Sequence, residues 1–198
     1  IDKRSTGNPV ADLTNKKFFW NSEFFISNGV LIPRPDTELL IENILRLTKQ
    51  KNKIKILDIG VGSGCILLSI LKERKNFYGT GIDISKKCLN ISKINALKQN
   101  VNYRLKLFKS NVDKFLIGKY DLIVSNPPYI NKRNIKYLDK DVSRFEPKLA
   151  LDGGLDGLSE IRKVIKKSSE LVKTNGKFIL EIGFRQKNKV VKILIKEG

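Results

Sequence analysis

Residues 54–64 read Ile-Lys-Ile-Leu-Asp-Ile-Gly-Val-Gly-Ser-Gly, and this stretch decides the fold. Its first half is a short run rich in β-branched residues, which is typical of a strand buried in a sheet. Glycines then occur at every second position and predict a tight turn. Residues 63–74 continue with apolar side chains at helical spacing. The stretch therefore predicts a strand, a glycine turn and a helix in direct succession.

The same alternation continues along the chain. It predicts further strands over 77–84, 103–108, 120–125 and 177–182, and helices over 85–97, 158–173 and 186–196. Strands that alternate with helices form right-handed βαβ units, which build a parallel sheet with helices on both faces. We therefore expect an α/β fold with a Rossmann-like, doubly wound and mostly parallel sheet.

The first fifty residues have a different pattern. Residues 17–30 predict a small β-hairpin. Residues 36–48 predict a helix that follows Pro33-Arg34-Pro35, with Asp36 or Thr37 as its N-cap. We expect two parts in the chain: residues 1–50, which contain a connector, the hairpin and the leading helix, and residues 51–198, which form the α/β domain.

The composition of the 198 residues excludes several classes of protein. Apolar residues make up 40%, but the longest nearly unbroken apolar run is residues 65–71, far short of the about 20 that cross a membrane. The N-terminus lacks the apolar core of a signal peptide, so we expect a cytoplasmic protein. Histidine is absent and the only cysteines are Cys65 and Cys88. We therefore expect no metal site, no disulfide framework and no Ser-His or Cys-His hydrolase.

The net charge of +19 would attract polyanions. However, 30 of the 39 basic residues are lysine and only 9 are arginine, and arginine is the residue on which direct readers of phosphates and bases depend. The basic residues are also scattered along the chain rather than grouped. A nucleic-acid partner is therefore possible on charge alone but is not favoured.

The glycine turn also has chemical consequences. Gly60, Gly62 and Gly64 let a ligand approach the backbone, at a crevice outside the carboxyl ends of the strands. Asp83 ends the next strand, where its carboxylate can accept hydrogen bonds from both hydroxyls of a ribose. A nicotinamide cofactor would make the same demands. The spacing GxGxG and the acid Asp58 instead favour a cofactor that has an amino group and a sulfonium charge and no pyrophosphate.

A second motif, Asn126-Pro127-Pro128-Tyr129, follows the predicted strand 120–125. Its prolines fix the backbone and remove two N–H donors, so the Asn126 side chain and the carbonyl groups of Asn126 and Pro127 remain as acceptors in a rigid turn. Such acceptors suit a planar NH2 group, and Tyr129 could stack on its flat face. A turn that merely ends the strand is the alternative interpretation.

Together these motifs resemble those of the S-adenosylmethionine-dependent methyltransferases that act on a planar nitrogen, in DNA adenine, RNA guanine or protein glutamine. The resemblance implies S-adenosyl-L-methionine as the cofactor, with Asp83 on its ribose and Val112 near its adenine. The cofactor-binding residues that it implies are Asp58, Ile59, Gly60, Val61, Gly62, Asp83, Val112 and Asn126. It implies Asn126, Pro127 and Tyr129 as catalytic residues and Asn126, Pro127, Pro128 and Tyr129 as the substrate-binding turn.

Two further segments narrow the resemblance. Residues 31–38, Leu-Ile-Pro-Arg-Pro-Asp-Thr-Glu, and the loop that contains Arg144-Phe145-Glu146-Pro147 and a run of glycines near residue 153 resemble segments of the HemK/PrmC family. Residues 4–20 are similar to the connector of that family. Its members are glutamine N5-methyltransferases that modify the Gly-Gly-Gln motif of class I peptide-chain release factors. The resemblance therefore implies such a release factor as the protein substrate and partner.

The chain also departs from the family pattern. The family has a helical domain before the connector and two more strands after the last helix, so the resemblance implies a chain truncated at both ends. Ser110-Asn111-Val112 stands where members often have Ser-Asp and a large apolar residue near the adenine. We expect weaker cofactor binding from this difference. An ordinary helix N-cap at Ser110 explains the same residues equally well.

Other functions remain open at this stage. A DNA or RNA methyltransferase that acts on adenine or guanine would suit the charge and the Asn-Pro-Pro-Tyr turn. A catalytically silent module that only binds S-adenosylmethionine would suit the missing ends. A nicotinamide-dependent oxidoreductase is the least favoured of the alternatives.

Overall fold

A computed structural model describes residues 7–197, except for the side chains of Lys140 and Asp141. Its centre is a five-stranded, entirely parallel sheet with the strand order β5-β4-β3-β6-β7. The strands are β3 Lys55–Ile59, β4 Tyr78–Asp83, β5 Leu105–Lys109, β6 Tyr120–Ser125 and β7 Val172–Leu180. The strand order changes direction between β3 and β6, so this is where a doubly wound sheet opens a crevice at its carboxyl edge. The first strands of the chain, β1 Lys16–Phe19 and β2 Ser22–Phe25, form a separate antiparallel hairpin.

Helices cover both faces of the sheet. They are α1 Val10–Thr14, α2 Glu38–Leu47, α3 Cys65–Glu73, α4 Lys86–Lys98, α5 Lys140–Phe145, α6 Lys148–Leu151, α7 Ser159–Leu171 and α8 Lys187–Glu197. Alternate residues of β3 point to opposite faces. Ile56 accordingly packs in one apolar cluster with residues of α2 and α3, whereas Leu57 packs in another with residues of α7. Helix α8 packs on α7 through the buried Val190.

The hairpin belongs to the same core as the sheet. Phe19 and Phe24 pack edge to face and join the cluster that contains Ile56. Asn95 of α4 is fully buried. Its side-chain oxygen accepts a hydrogen bond from the N–H of Phe25 (2.7 Å), and its NH2 group donates to the carbonyl groups of Phe25 (3.0 Å) and Ser63 (2.9 Å). One side chain thus fastens the hairpin to the glycine turn.

The structure confirms the predicted α/β class and places β6 at the predicted residues. The hairpin is shorter than predicted, and the predicted helix 36–48 begins as a 3₁₀ turn, Pro35–Thr37, before α2. The prediction for the last strand was wrong at its start, since β7 begins at Val172 instead of residue 177. Its pairing with β6 shifts after Val172, so that four residues of β7 stand opposite one of β6. Asn175 in this bulge has a φ of 63°. The early part of the strand was not predicted because an Asn-Gly pair is typical of a turn.

Three further points concern the predicted connector, the predicted division of the chain and the length of the helices. Residues 4–6 of the predicted connector lie outside the described residues. The division at residue 50 stays a prediction. In the range 7–197, the helices are all too short or too polar to cross a membrane.

We expect Asn95→Ala to lower the free energy of unfolding by about 2–3 kcal/mol, because it leaves buried backbone groups of Phe25 and Ser63 without their partner. Urea unfolding measures this change. Asn43→Ala is the matched control, since the Asn43 side chain bonds only within α2, to the carbonyl of Leu39, and accepts a bond from Arg46. An equal, small effect of both changes would contradict this assignment.

Candidate active site

The carboxyl ends of β3, β4, β6 and β7 converge on one crevice. Ile59 of β3 lies opposite Ser125 of β6 in the sheet, and the Ser125 hydroxyl donates to the Ile59 carbonyl (2.7 Å). The glycine turn follows Ile59, and Asn126 follows Ser125. The two motifs that the sequence singled out therefore lie side by side at the place where the strand order changes direction.

The glycine turn is held by its neighbours. The N–H groups of Gly60 and Val61 both donate to the carbonyl of Ile82 in β4 (2.9 Å each), and the Ser92 hydroxyl donates to the carbonyl of Gly62 (2.8 Å). Gly60 and Gly62 have φ values of 79° and 56°, a region that side chains with a Cβ adopt at a cost. A Cβ on Gly60 would meet nothing within 4 Å, so the space beside the turn is open.

Asp83 accepts hydrogen bonds from two backbone N–H groups. One carboxylate oxygen accepts from the N–H of Gly62 (3.0 Å) and the other from the N–H of Ser85 (2.8 Å). Burial raises the pKa of Asp83, and these hydrogen bonds act in the opposite direction. Each carboxylate oxygen has a further lone pair, so Asp83 can still accept hydrogen bonds from a ligand.

Asp58 is the most unusual charged group in the crevice. It is 1% exposed, and neither of its carboxylate oxygens has a hydrogen-bond partner within residues 7–197. Burial, together with the nearby carboxylate of Asp83, raises the pKa of Asp58 to about 7, and the backbone N–H of Leu67 offsets this rise only in part. A buried carboxylate without a donor is destabilising unless a cation or donor pairs with it. The burial of Asp58 and its raised pKa are therefore typical of a carboxylate that pairs with a positively charged ligand.

The remaining residues predicted to bind the cofactor are at the same edge. Ile59 is the last residue of β3, and Val112 lies in one apolar cluster with Ile59 and Ile82. The structure shows no α-helix at Ser110. Instead, Asn111 caps a short 3₁₀ turn, Val112–Lys114, by accepting from the N–H of Asp113 (3.3 Å). The interpretation of Ser110 as a helix N-cap was wrong.

The Asn126–Tyr129 turn is anchored by side chains. The Asn126 side-chain amide donates to the hydroxyl of Thr37 (3.2 Å), and the Tyr129 hydroxyl donates to the carboxylate of Glu181 (3.2 Å). Pro127 between them is buried. Thr37 occupies the N-cap position of α2, as the sequence suggested, but its side chain makes no capping bond to the helix in the part of the chain that is described. Its hydroxyl faces the turn instead.

Glu181 is a functional candidate that sequence reasoning missed. It follows β7 directly, and its N–H donates to the carbonyl of Ser125 (3.0 Å), so it stands beside Asn126. Burial raises the pKa of Glu181, while hydrogen bonding by Thr37, Tyr129 and Asn126 lowers it. A carboxylate at the carboxyl end of the strand next to β6 was the available signal. The predicted strand ran past it to residue 182.

The loop after the turn is fixed by an ion pair and by backbone bonds. Arg34 pairs with Glu146, which is buried, and this contact joins the two segments that resemble the HemK/PrmC family. The N–H of Ile130 donates to the carbonyl of Leu151 (3.1 Å), and the N–H of Gly153 donates to the carbonyl of Ile130 (2.8 Å). A Cβ on Gly153 would lie 2.9 Å from the Pro128 carbonyl, so only glycine permits this approach.

Comparison with known proteins agrees with this geometry. Residues 34–143 match the family described as the methyltransferase small domain. A ribosomal protein L11 methylase from Lactobacillus delbrueckii subsp. bulgaricus has the same fold, with a TM-score of 0.63 and 19% identity over 86% of this chain and 72% of that one. Since the family match spans more than half of the sequence, the chain belongs to the methyltransferases.

Two curated relatives narrow the family. The chain is 41% identical to the release factor glutamine methyltransferase of Buchnera aphidicola subsp. Acyrthosiphon pisum, over 96% of this chain and 68% of the relative. It is 37% identical to a bifunctional methyltransferase of Rickettsia typhi, of which it spans 42%. The chain is a member of the release factor glutamine methyltransferase family. This membership implies S-adenosyl-L-methionine as the cofactor.

The residues of the crevice fit that cofactor. The unpartnered carboxylate of Asp58 suits an amino group, and the open space at Gly60 leaves room for a ligand against the backbone. Asp83 retains acceptor capacity for hydroxyl groups.

We expect Asp58→Asn to stabilise the cofactor-free protein in a pH-dependent way. The folded-state pKa of about 7 lies above the ordinary value, so the penalty for burying the carboxylate is absent below about pH 4 and grows as the pH rises toward 7. The gain in unfolding free energy from the change should therefore be about 2–3 kcal/mol larger at pH 8 than at pH 5. Urea unfolding at both pH values measures it.

Asp121→Asn is the control, because the pKa of Asp121 is lowered in the fold: its bonds to Lys173 and to the N–H of Lys55 outweigh burial. That change should destabilise the protein, and more so at pH 8 than at low pH. A gain from Asp58→Asn that does not vary with pH would show that Asp58 is not buried as a charge.

Proposed function

We propose that this protein transfers a methyl group from S-adenosyl-L-methionine to the side-chain amide nitrogen of the glutamine in the Gly-Gly-Gln motif of a class I peptide-chain release factor. The observation that carries the proposal is the anchored Asn126 amide directly beside the glycine turn, in a chain related to release factor glutamine methyltransferases. The cytoplasmic location expected from the sequence belongs to the same proposal, because release factors act on ribosomes.

The cofactor would be held by the carboxyl edge of β3 and β4. Asp58 would pair with its amino group, the backbone of Ile59, Gly60, Val61 and Gly62 would line its path, and Asp83 would accept from its ribose. Val112 and its apolar neighbours would contact the adenine. Bound there, the cofactor supplies an electrophilic methyl group.

The acceptor amide would be held by the Asn126–Tyr129 turn. An amide nitrogen is a poor nucleophile because its lone pair is delocalised into the carbonyl group. The protein must therefore supply orientation and exclusion of water, and well-oriented groups gain up to about 7–11 kcal/mol in this way. The Asn126 side chain and the Pro127 carbonyl would accept the two hydrogens of the NH2 group, with Pro128 making the turn rigid. The ring of Tyr129 would pack on the amide.

These contacts favour the reaction in two ways. They hold the nitrogen so that its lone pair faces the methyl group, and they keep the crevice dry. Transfer would break the S–CH3 bond and form the N–CH3 bond, so the positive charge would pass from sulfur, which leaves as a neutral thioether, to the amide nitrogen. A site that excludes water strengthens electrostatic effects on such a shift of charge. The methylated nitrogen would then lose its proton to solvent water, and none of the roles assigned here requires a dedicated base.

The direct test is methyl transfer from labelled S-adenosylmethionine to a purified class I release factor, followed by mass mapping of the label. We expect label on the Gly-Gly-Gln glutamine. Asn126→Ala should lower the rate at least a hundredfold and leave cofactor affinity within about threefold, because it removes an acceptor for the substrate amide. The control is Asn134→Ala, an exposed asparagine in the 3₁₀ turn Lys132–Tyr137. Full activity of Asn126→Ala would refute the assigned role.

A nucleic-acid methyltransferase is the second candidate, and the net charge of +19 is the observation that favours it. Parallel reactions with adenine-rich DNA and with RNA test it. Label on either polymer, together with binding that weakens steeply with salt, would replace the release factor as the substrate. Cofactor binding without label on any substrate would identify a module that only binds the cofactor.

The role of Asp58 predicts how cofactor affinity depends on pH. Pairing with an amino group needs the ionised carboxylate, and the pKa of Asp58 in the free protein is about 7. The dissociation constant should therefore rise on the order of twentyfold between pH 7.5 and pH 5.5. Calorimetry measures it, and Asp58→Asn should abolish the dependence while weakening binding. A flat profile in the unmodified protein would remove Asp58 from the cofactor site.

A further inference from the structure

Two residues from distant parts of the chain lie against the Asn126 side chain. Thr37 closes the 3₁₀ turn before α2 and is 2% exposed, and its hydroxyl accepts from the Asn126 amide (3.2 Å). Glu181 follows β7, and its backbone N–H bonds to the carbonyl of Ser125, the residue before Asn126. Its carboxylate is faced by Thr37, Tyr129 and Asn126, each of which lowers the Glu181 pKa by hydrogen bonding.

When Glu181 is ionised, its charge sets the direction of the side-chain hydrogen bonds around it. An ionised carboxylate has acceptor atoms only, so Thr37, Tyr129 and Asn126 can approach it only with O–H or N–H. The Tyr129 hydroxyl does so at 3.2 Å. If the Thr37 hydroxyl directs its proton to Glu181, its lone pairs are left for Asn126. Thr37 then accepts from the Asn126 NH2 group, which also lies near enough to Glu181 to lower the pKa of that carboxyl.

These hydrogen bonds distinguish the NH2 end of the Asn126 amide from its carbonyl end. The NH2 end of Asn126 is bonded to the Thr37 hydroxyl and lies on the side of the Glu181 carboxylate, so the carbonyl end points away from them. In the reverse orientation, the Asn126 oxygen would face the negative carboxylate and a hydroxyl whose proton is already engaged. Like polarities at such short range are strongly unfavourable where water is excluded.

We propose that Thr37 and Glu181 are positioning residues that hold the Asn126 amide in a single orientation, with its oxygen directed to the acceptor nitrogen. This inference rests on the proposed function and deepens it. The site then presents two oxygens, that of the Asn126 side chain and that of the Pro127 backbone, to the two hydrogens of a planar NH2 group. A flipped Asn126 would present NH2 to NH2, and the substrate nitrogen would be turned away from the methyl donor.

The same arrangement explains why the segment at residues 31–38 is part of the site. Arg34 of this segment holds the loop after the turn through Glu146, and Thr37 holds the turn itself. The prolines on either side of Arg34 make the segment rigid. A segment that looks like an ordinary helix start in the sequence therefore determines which end of one side chain faces the substrate.

Two variants test the proposal. Thr37→Val keeps the shape of the side chain and removes the hydroxyl, and Thr37→Ser restores it. Thr48→Val is the matched control, because Thr48 is a buried threonine at the other end of α2 whose hydroxyl donates to the carbonyl of Ile44 (2.7 Å). Glu181→Gln keeps the size of the side chain and removes its acceptor-only character.

The first measurement is independent of turnover. In nuclear magnetic resonance spectra of the labelled, cofactor-free protein, the side-chain amide signals of Asn126 are assigned by their loss in Asn126→Ala. We expect these signals to be protected from exchange with water in the unmodified protein. Thr37→Val and Glu181→Gln should shift them and remove the protection, whereas Thr37→Ser and Thr48→Val should leave them in place. Unchanged signals in both Thr37→Val and Glu181→Gln would overturn the proposal.

The second measurement is kinetic. We expect Thr37→Val and Glu181→Gln to lower kcat for glutamine methylation at least tenfold, with cofactor affinity unchanged within about threefold, and Thr37→Ser to recover most of the loss. Thr48→Val should lower the melting temperature and not kcat. A loss of stability in Thr37→Val with unchanged kcat would show a merely structural role and overturn the proposal. If the unmodified protein methylates no release factor, the proposed function fails, and the amide signals alone decide the orientation of Asn126.

Discussion

The pairing of β3 with β6 is the constraint on which the site depends. Ile59 lies opposite Ser125, and the Ser125 hydroxyl bonds to the Ile59 carbonyl in the buried interior. The two strands leave the sheet at the same level, so the glycine turn and the Asn126–Tyr129 turn cannot separate. A slip of β6 by one residue would move every one of its side chains to the opposite face of the sheet. The distance between the cofactor turn and the acceptor turn is therefore set by the backbone of the core.

The site concentrates buried acids in a strongly basic protein. Asp58, Glu146 and Glu181 all have raised pKa values because burial disfavours their charged forms. Each has a different compensation. Glu146 has an arginine, Glu181 has the hydroxyl of Tyr129, and Asp58 has only the nearby backbone N–H of Leu67. The acid with the least compensation is the one that faces the cofactor crevice, as expected where stability is exchanged for ligand binding.

The sequence was sufficient for the sheet and for the two main motifs. Strands β3 and β6 are short apolar runs followed by Gly60 and Asn126, and such local patterns indicate where the strands end. The start of β7 was missed because Asn175-Gly176 resembles a turn, while pairing with β6 overrides it. Thr37 does stand at the N-cap position of α2, but its hydroxyl bonds to Asn126 and not to the helix. Its true partner is 89 residues away, as Glu146 is 112 residues from Arg34. Contacts at such separations depend on the folded sheet, which no local pattern contains.

Asn95 has a consequence for how the two parts of the molecule respond to one another. It binds both backbone groups of Phe25 in the hairpin and the carbonyl of Ser63 in the glycine turn. Neither segment can shift without breaking bonds to the same side chain. The local opening equilibria of the hairpin and of the glycine turn are therefore linked. Linkage is reciprocal, so a ligand that orders the turn stabilises the hairpin by the same free energy by which a contact on the hairpin stabilises the turn. Through this single buried amide, local opening of the hairpin depends on whether the glycine turn of the crevice is ordered.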